Sequence, residues 1–92
     1  MNVFITRVEL HGAQEGDYEV LHAAMANAGF HRIMNQDGVS YYLPTAEYIV
    51  HSSLSAEGVR DVAIQAANTT GKASWILTVQ SAGMAWSLQQ VN

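Results

Sequence analysis

Residues 46–71, AEYIVHSSLSAEGVRDVAIQAANTTG, decide the fold of this chain. The run at residues 48–50 is aromatic and β-branched and lies between turn residues, which predicts a buried strand. Ser55 follows at a helix N-cap position, and Gly71 marks the helix end. Between them, apolar residues recur at the spacing of one helical face: Val59, Val62, Ala63 and Ala66. The segment predicts a strand, a tight turn and a helix, around which the rest of the chain packs.

Residues 2–10 alternate in character, which predicts a strand with two different faces. One face suits a hydrophobic core and consists of Phe4, Thr6, Val8 and Leu10. The other face begins with Val3 and Ile5 and ends with Arg7 and Glu9. We expect this polar end to lie where the second face of the sheet opens to water.

A first helix is expected to begin at Gly16 or Asp17 and to reach Ala28, because a glycine follows as a stop signal. Its apolar stripe consists of Tyr18, Leu21, Ala24, Met25 and Ala28. Two short strands are then expected at residues 30–34 and 39–43. An Asp-Gly pair between them supplies the positive φ that a hairpin turn needs.

The C-terminal part predicts a further strand at residues 75–79 and a final short strand around Trp86 and Leu88, which together form a hairpin. The resulting order of strand, helix, strands, helix and strands is typical of the split βαβ arrangement. We therefore predict a single α+β domain over residues 1–92 with a ferredoxin-like fold. Two helices would cover one face of a four- or five-stranded antiparallel sheet.

The second face of such a sheet must be solvated or covered by a partner. Val3, Ile5 and either Tyr41 or Tyr42 are candidates for an apolar patch on that face. A patch of this kind favours a homodimer. A small hydrophobic cluster beneath the C-terminal hairpin is the alternative.

Composition excludes several classes of function. The chain has no cysteine, so disulfides, thiolate metal sites and cysteine nucleophiles are absent. Its net charge is −4 with only four Lys and Arg residues, so we expect no DNA partner. No apolar run is long enough to span a membrane and no leader is recognisable, which favours a cytoplasmic protein. No histidine pair has helical metal-ligand spacing, and we expect no metal or cofactor.

Two stretches carry a resemblance to a known family. They are AEYIVHSSLSAEGVRDV at residues 46–62 and EVLHAAMANAGF at residues 19–30. With them, residues 3–68 resemble the small GhoS-type endoribonuclease antitoxins of type V toxin–antitoxin systems. The second stretch matches at three packing positions, which are Leu21, Met25 and Phe30.

This resemblance implies both a fold and a function. The family fold is ferredoxin-like, and the family function is cleavage of the messenger RNA that encodes a small membrane-acting toxin. The family has an acidic residue near the end of the first strand, where this chain has Glu9. An arginine-bearing stretch in the first helix of the family is replaced here by Val20 and His22.

RNA cleavage needs a base for the 2′-hydroxyl, an acid for the leaving oxygen and a cation for the charged phosphorane. Arg7 and Glu9 share one strand face, and His11 follows by the same period of two at the strand end. We expect these three residues to line one open surface as catalytic candidates. The alternative interpretation is an ordinary cross-strand ion pair beside a loop histidine.

Three further basic residues are candidates for the same function. His22 is a catalytic candidate, and the alternative is an imidazole contact with Tyr18 four residues earlier on the helix. His31 and Arg32 are candidates for RNA contacts, and the alternative is that both are solvated. Aromatic rings that either stack on bases or pack internally are Tyr41, Tyr42, Trp75 and Trp86.

Two functions of different classes follow from these observations. The first, from the resemblance, is an endoribonuclease antitoxin that acts on RNA. The second is a non-catalytic interaction module that dimerises through its sheet and binds a protein. A basic groove around Arg7 and Arg32 would support the first, and an apolar, uncharged sheet face would support the second.

Overall fold

The computed structural model describes residues 1–91 and contains two helices and five strands within that range. The chain is therefore α+β, as predicted. In chain order the elements are β1 Asn2–Leu10, α1 Asp17–Asn27, β2 Ile33–Gln36, β3 Val39–Tyr42, β4 Glu47–Ser52, α2 Ala56–Asn68 and β5 Ser74–Gln80.

The principal sheet has three antiparallel strands in the order β4-β1-β5, so the N-terminal strand is central. Ile5 of β1 lies opposite Ile49 of β4 on one side and opposite Val79 of β5 on the other. Residues directly opposite one another in antiparallel strands share a sheet face. This register therefore fixes which side chains of the three strands lie together.

Both helices pack on one face of this sheet, as the single-faced apolar patterns predict. The β1 residues predicted for the core are all buried, and so are Tyr48 and Val50 of β4. Leu21 and Met25 of α1 are buried against the same cluster. The α2 residues buried there are Val59, Ala63, Ala66 and Ala67. The core is thus a single layer between the helices and the Phe4 face of the sheet.

The helix ends agree with the sequence signals. The Oγ atom of Ser55 accepts a hydrogen bond from the backbone N–H of Gly58 at 3.1 Å, which is the predicted N-cap of α2. Gly16 precedes α1 with a φ of 89°, and its position is held without a side-chain cap. The short turn between β2 and β3 has positive φ at both Asp37 and Gly38, at 52° and 78°. This is the conformation expected of an Asp-Gly hairpin.

The prediction of an antiparallel sheet with four or five strands is confirmed in part, because the five strands divide into a three-stranded and a two-stranded sheet. β2 and β3 form a separate two-stranded sheet, and the ferredoxin-like order of four paired strands is not confirmed. β2 also begins later than expected, at Ile33. Within the described residues, the only backbone connection between this region and β4 is at His31, which precedes β2. His31 exchanges N–H···O bonds of 2.9 and 2.8 Å with Ile49. A two-stranded ribbon twists more strongly than a wide sheet, so the hairpin diverges from β4 after this pair.

The predicted C-terminal hairpin is wrong. No strand forms around Trp86 and Leu88, and the chain does not return along β5. The backbone instead runs beside β3, where the N–H of Tyr42 donates to the carbonyl of Gln89 at 2.9 Å. Trp86 packs near Tyr41 with ring centroids 5.9 Å apart. The apolar side chains of this segment contact the β2–β3 hairpin and the sheet face opposite the helices. Within residues 1–91 the outer edge of β5 therefore stays unpaired.

Candidate functional site

The sheet face turned away from the helices carries the polar end predicted for β1. We call it the open face. Its members, given by the strand register, are Val3, Ile5, Arg7 and Glu9 of β1, Glu47, Ile49 and His51 of β4, and Trp75, Leu77 and Val79 of β5. The face combines charged, imidazole and large apolar side chains, which is unusual for a surface that only needs to be solvated.

The β5 side of the open face is strongly exposed. Trp75 is 68% exposed, Leu77 65% and Val79 48%. Ile5 on the central strand is half-buried, because the segment with Met84 and Trp86 lies near it and helps to line a cavity of about 490 Å³. The predicted patch with Tyr41 or Tyr42 does not form on this face, since both tyrosines belong to the separate hairpin sheet.

Four residues meet at one end of the open face, where β1 ends and β5 begins. We call Arg7, Glu9, His11 and Trp75 the His11 cluster. The Nε2 atom of His11 lies 3.6 Å from Oε2 of Glu9. The His11 ring meets the Trp75 ring edge to face, with centroids 4.0 Å apart. Its backbone N–H donates to the carbonyl of Ala73 at 2.8 Å, which ties the loop to the start of β5.

Arg7 completes this cluster. It is exposed and lines a shallow cavity of about 200 Å³ together with Glu9, Trp75 and Leu77. The register places Glu47 directly opposite Arg7, yet no carboxylate of residues 1–91 forms an ion pair with its guanidinium. The cross-strand ion pair of the alternative interpretation is therefore not formed in this part of the chain. The cation stays available to an anionic ligand.

His22 lies on the other side of the sheet. Its Nδ1 atom shares a hydrogen bond with the hydroxyl of Tyr48, whose side chain is buried on the helix side. Burial lowers the pKa of His22 below 6.5, the charge of Arg32 lowers it further, and Glu19 partly opposes the shift. The imidazole is therefore neutral at pH 7. The sheet separates His22 from the His11 cluster.

Tyr48 is the partner of His22 that the sequence does not indicate. The predicted contact with Tyr18 is present as well, with the two ring centroids 6.3 Å apart. The hydroxyl of Tyr18 accepts a hydrogen bond from the backbone N–H of Leu10 at 3.0 Å. Burial raises the pKa of Tyr48 to about 12, so its hydroxyl stays protonated. Helical spacing reveals only partners within the helix, and Tyr48 comes from β4.

His31 and Arg32 both line the cavity beside His22, and only His31 also lies at the open face. His31 pairs with Ile49 and so stands at the β4 edge of the open face, across the sheet from β5. Arg32 lies near His22 on the helix side, and the two line a cavity of about 310 Å³ with Phe30 and Tyr42. The six predicted site residues thus divide between the His11 cluster, the far edge of the open face and the His22 cavity.

No group of three or more His, Asp or Glu side chains within residues 1–91 is arranged to hold a metal ion. None of the helices in this range has the length and apolar character needed to cross a membrane.

Comparison with known proteins gives no relative from which a function can be transferred. No protein-family model matches the sequence, and no curated protein matches it closely. The chemistry of the two sites described above is what bears on function.

Proposed function

We propose that this protein binds single-stranded RNA at the His11 cluster and cleaves it there. The observation that carries the proposal is the pairing of His11 and Glu9, with Nε2 and Oε2 3.6 Å apart, beside the Arg7 cation, which forms no ion pair within residues 1–91. An acid–base pair and a cation are the groups that cleavage of an RNA strand requires, and the exposed indole beside them is suited to stack on a base.

Each member of the cluster has a separate role in this proposal. The carboxylate of Glu9 takes the proton of a ribose 2′-hydroxyl, and the 2′-oxygen attacks the adjacent phosphorus. The bond from phosphorus to the 5′-oxygen breaks, and protonated His11 donates its proton to that oxygen. The products are a 2′,3′-cyclic phosphate and a 5′-hydroxyl. Acid–base catalysis of this kind contributes about 10²- to 10⁴-fold to the rate.

Arg7 and Trp75 act on the phosphate and the base. The Arg7 guanidinium stabilises the charge that builds on the phosphorane oxygens. The indole of Trp75 offers a stacking surface for one base, and such stacking tolerates any sequence. His31 and Arg32 remain predictions as additional RNA contacts, and we assign no step to His22.

The biological setting belongs to the same proposal. The resemblance to GhoS-type antitoxins suggests toxin messenger RNA as the target, and Glu9 stands where that family has an acidic residue. A ferredoxin-like arrangement is part of this proposal. The backbone pair between His31 and Ile49 supports it, because it brings the chain before β2 alongside the outer edge of β4.

A second candidate function belongs to a different class. The exposed Trp75, Leu77 and Val79 and the net charge of −4 favour a non-catalytic module that binds protein through its sheet. Such a module needs the apolar side chains of β5 and has no use for the pairing of His11 with Glu9.

A cleavage assay on a short unstructured RNA separates the two candidates. The wild-type protein should produce fragments with 2′,3′-cyclic phosphate ends, while His11→Ala, Glu9→Gln and Arg7→Ala should each lose most of this activity. His51→Ala is the matched control, because His51 is also an exposed histidine of the open face but lies at its opposite end. Activity that survives all three cluster variants, or its absence in wild-type protein, would contradict the proposed function.

A further inference from the structure

The outer edge of β5 lacks several of the usual protections of a free strand within residues 1–91. β5 is an edge strand of seven residues, Ser74–Gln80, and it contains no charged residue and no proline. No strand within residues 1–91 pairs with its outer side. Natural sheets usually protect such edges with lysine, proline, a bulge or a covering loop. An unprotected edge of this length is a template for another strand.

The side chains of β5 indicate the same conclusion. Trp75, Leu77 and Val79 alternate along the strand on the open face and are each about half exposed or more. A neighbouring strand would cover one flank of each side chain. One neighbouring strand would thus cover the exposed apolar side chains and also pair with the free backbone edge.

We infer that the occupant of this edge is the β5 strand of a second copy of the chain. The two strands run antiparallel about a twofold axis at Leu77, and the two three-stranded sheets become one continuous sheet. The inference rests on the geometry of β5 and α2 alone and does not depend on RNA cleavage.

The pattern of β5 is self-complementary about its central residue. With the axis at Leu77, each Trp75 lies opposite Val79 of the partner subunit on the open face. Leu77 lies beside its own copy. Aromatic–β-branched and aliphatic pairs of this kind stabilise adjacent antiparallel strands. A twofold interface requires such self-complementarity, since the same surface must serve both copies.

The charges beside the strand fit a second copy as well. The first turns of α2 flank the middle of β5, where Glu57 and Arg60 line a groove of about 240 Å³ with Ile76, Leu77 and Thr78. An axis at Leu77 brings two such turns together in opposite orientations. Glu57 then faces Arg60 of the partner subunit, whose guanidinium also bonds Asp61 of its own helix at 3.0 Å, and the same pair recurs on the other side of the axis. One acid and one base at this position make the surface complementary to itself.

Contact between the helices also increases the size of the interface. A stable interface buries about 800 Å² per partner, and one strand edge alone is small in comparison. The exposed apolar stripe of β5 and the first turns of α2 together enlarge the buried surface around the axis. The partner is therefore expected to contact both elements.

The molar mass of the protein in solution tests this inference in the absence of RNA. Light scattering after size exclusion should give a dimer for wild-type protein. Leu77→Lys should be monomeric and folded by circular dichroism, because Leu77 is exposed and the axis would bring two like charges together. Val20→Lys is the matched control on α1, where Val20 is also exposed, and it should stay dimeric. A monomeric wild-type protein, or a dimeric Leu77→Lys variant, would overturn the inference.

A charge-swap experiment tests the register independently of hydrophobic contacts. Glu57→Arg and Arg60→Glu should each weaken the dimer by about tenfold or more, because each places like charges across the axis. Mixing the two variants should restore association as a heterodimer in native mass spectrometry. A statistical distribution of species in the mixture would refute the twofold axis at Leu77. A failure here leaves the cleavage assay unaffected, so the two proposals fail separately.

Discussion

The imidazole of His11 meets the indole of Trp75 edge to face, with ring centroids 4.0 Å apart and ring planes at 76°. The contact joins the loop after the first strand to the beginning of the last strand. It holds His11 next to Glu9, whose carboxylate is 3.6 Å away. An exposed aromatic ring is thus used to orient a titratable side chain on an open surface. The proposed cleavage of RNA depends on this arrangement.

Trp75→Ala should weaken binding of single-stranded RNA by about 5- to 150-fold, because stacking of one base on an aromatic ring contributes about 1–3 kcal/mol. Trp75→Phe keeps an aromatic surface and should retain most of the affinity. Trp86→Ala is the control, since Trp86 packs near Tyr41 away from the cluster. Fluorescence anisotropy with labelled RNA measures all three. Equal affinities for wild type and Trp75→Ala would show that the indole does not contact RNA.

Arg7 should contribute one phosphate contact, which is visible in the salt dependence of binding. Arg7→Gln should reduce the slope of log K against log salt concentration by about 0.7, the value for one phosphate of a single strand. Arg7→Lys keeps the charge and should keep the slope, although its affinity falls with the loss of the planar fork. An unchanged slope in Arg7→Gln would place the phosphate contacts elsewhere.

Local sequence patterns predicted the elements better than their partners. The alternation of β1 correctly placed Arg7 and Glu9 on the solvent-facing side, because strand periodicity is a property of the chain itself. That Arg7 forms no ion pair within the described residues 1–91 was not predictable, since ion pairing depends on how side chains of neighbouring strands are oriented. The alternation also assigned Trp75 to one strand face without showing that this face would stay uncovered.

The failed predictions concern contacts between distant segments. The separate β2–β3 sheet reflects the twist of a short ribbon, for which the sequence has no local signal. The C-terminal segment pairs with β3 through Gln89 and Val91, although its composition suits a hairpin with β5 equally well. The hydrogen bond from His22 to Tyr48 was not predicted for the same reason, although the contact of His22 with Tyr18 at helical spacing was.

His22 should make folding stability depend on pH. Its pKa is lowered in the folded protein by burial and by Arg32, so the unfolded chain binds the proton first as pH falls. The free energy of unfolding should therefore decrease as pH falls below 6.5, the ordinary pKa of histidine, and should level off below the pKa of His22 in the folded protein. In the His22→Gln variant the contribution of His22 to this pH dependence is absent. Urea denaturation between pH 7.5 and 5 should therefore show a shallower decline of the free energy of unfolding than in wild-type protein.

An NMR titration of the His22 ring measures its pKa in the folded protein directly. Its NMR signals in the folded protein should titrate with a midpoint below 6.5. Arg32→Gln should move that midpoint upward, because the positive charge of Arg32 contributes to the lowered pKa of His22. A midpoint at or above 6.5 in wild-type protein would contradict the assignment of His22 as a neutral, partly buried group.

Ser55 should contribute to stability as the N-cap of α2. Ser55→Ala removes the acceptor for the N–H of Gly58 and should lower the free energy of unfolding by about 1 kcal/mol. For a domain of this size that loss corresponds to a fall in Tm of about 4–8 °C. Ser53→Ala is the control, since Ser53 is exposed and precedes the cap. Equal thermal stability of the two variants would show that the cap contributes nothing measurable.

The most direct test of RNA binding at the His11 cluster is an amide chemical-shift titration with a short single-stranded RNA at low salt. We expect chemical-shift changes centred on Arg7, Glu9, His11 and Trp75. These changes should decrease as salt is added, because phosphate contacts are screened. The absence of shifts at millimolar RNA, or shifts confined to the helix side around His22, would contradict this expectation.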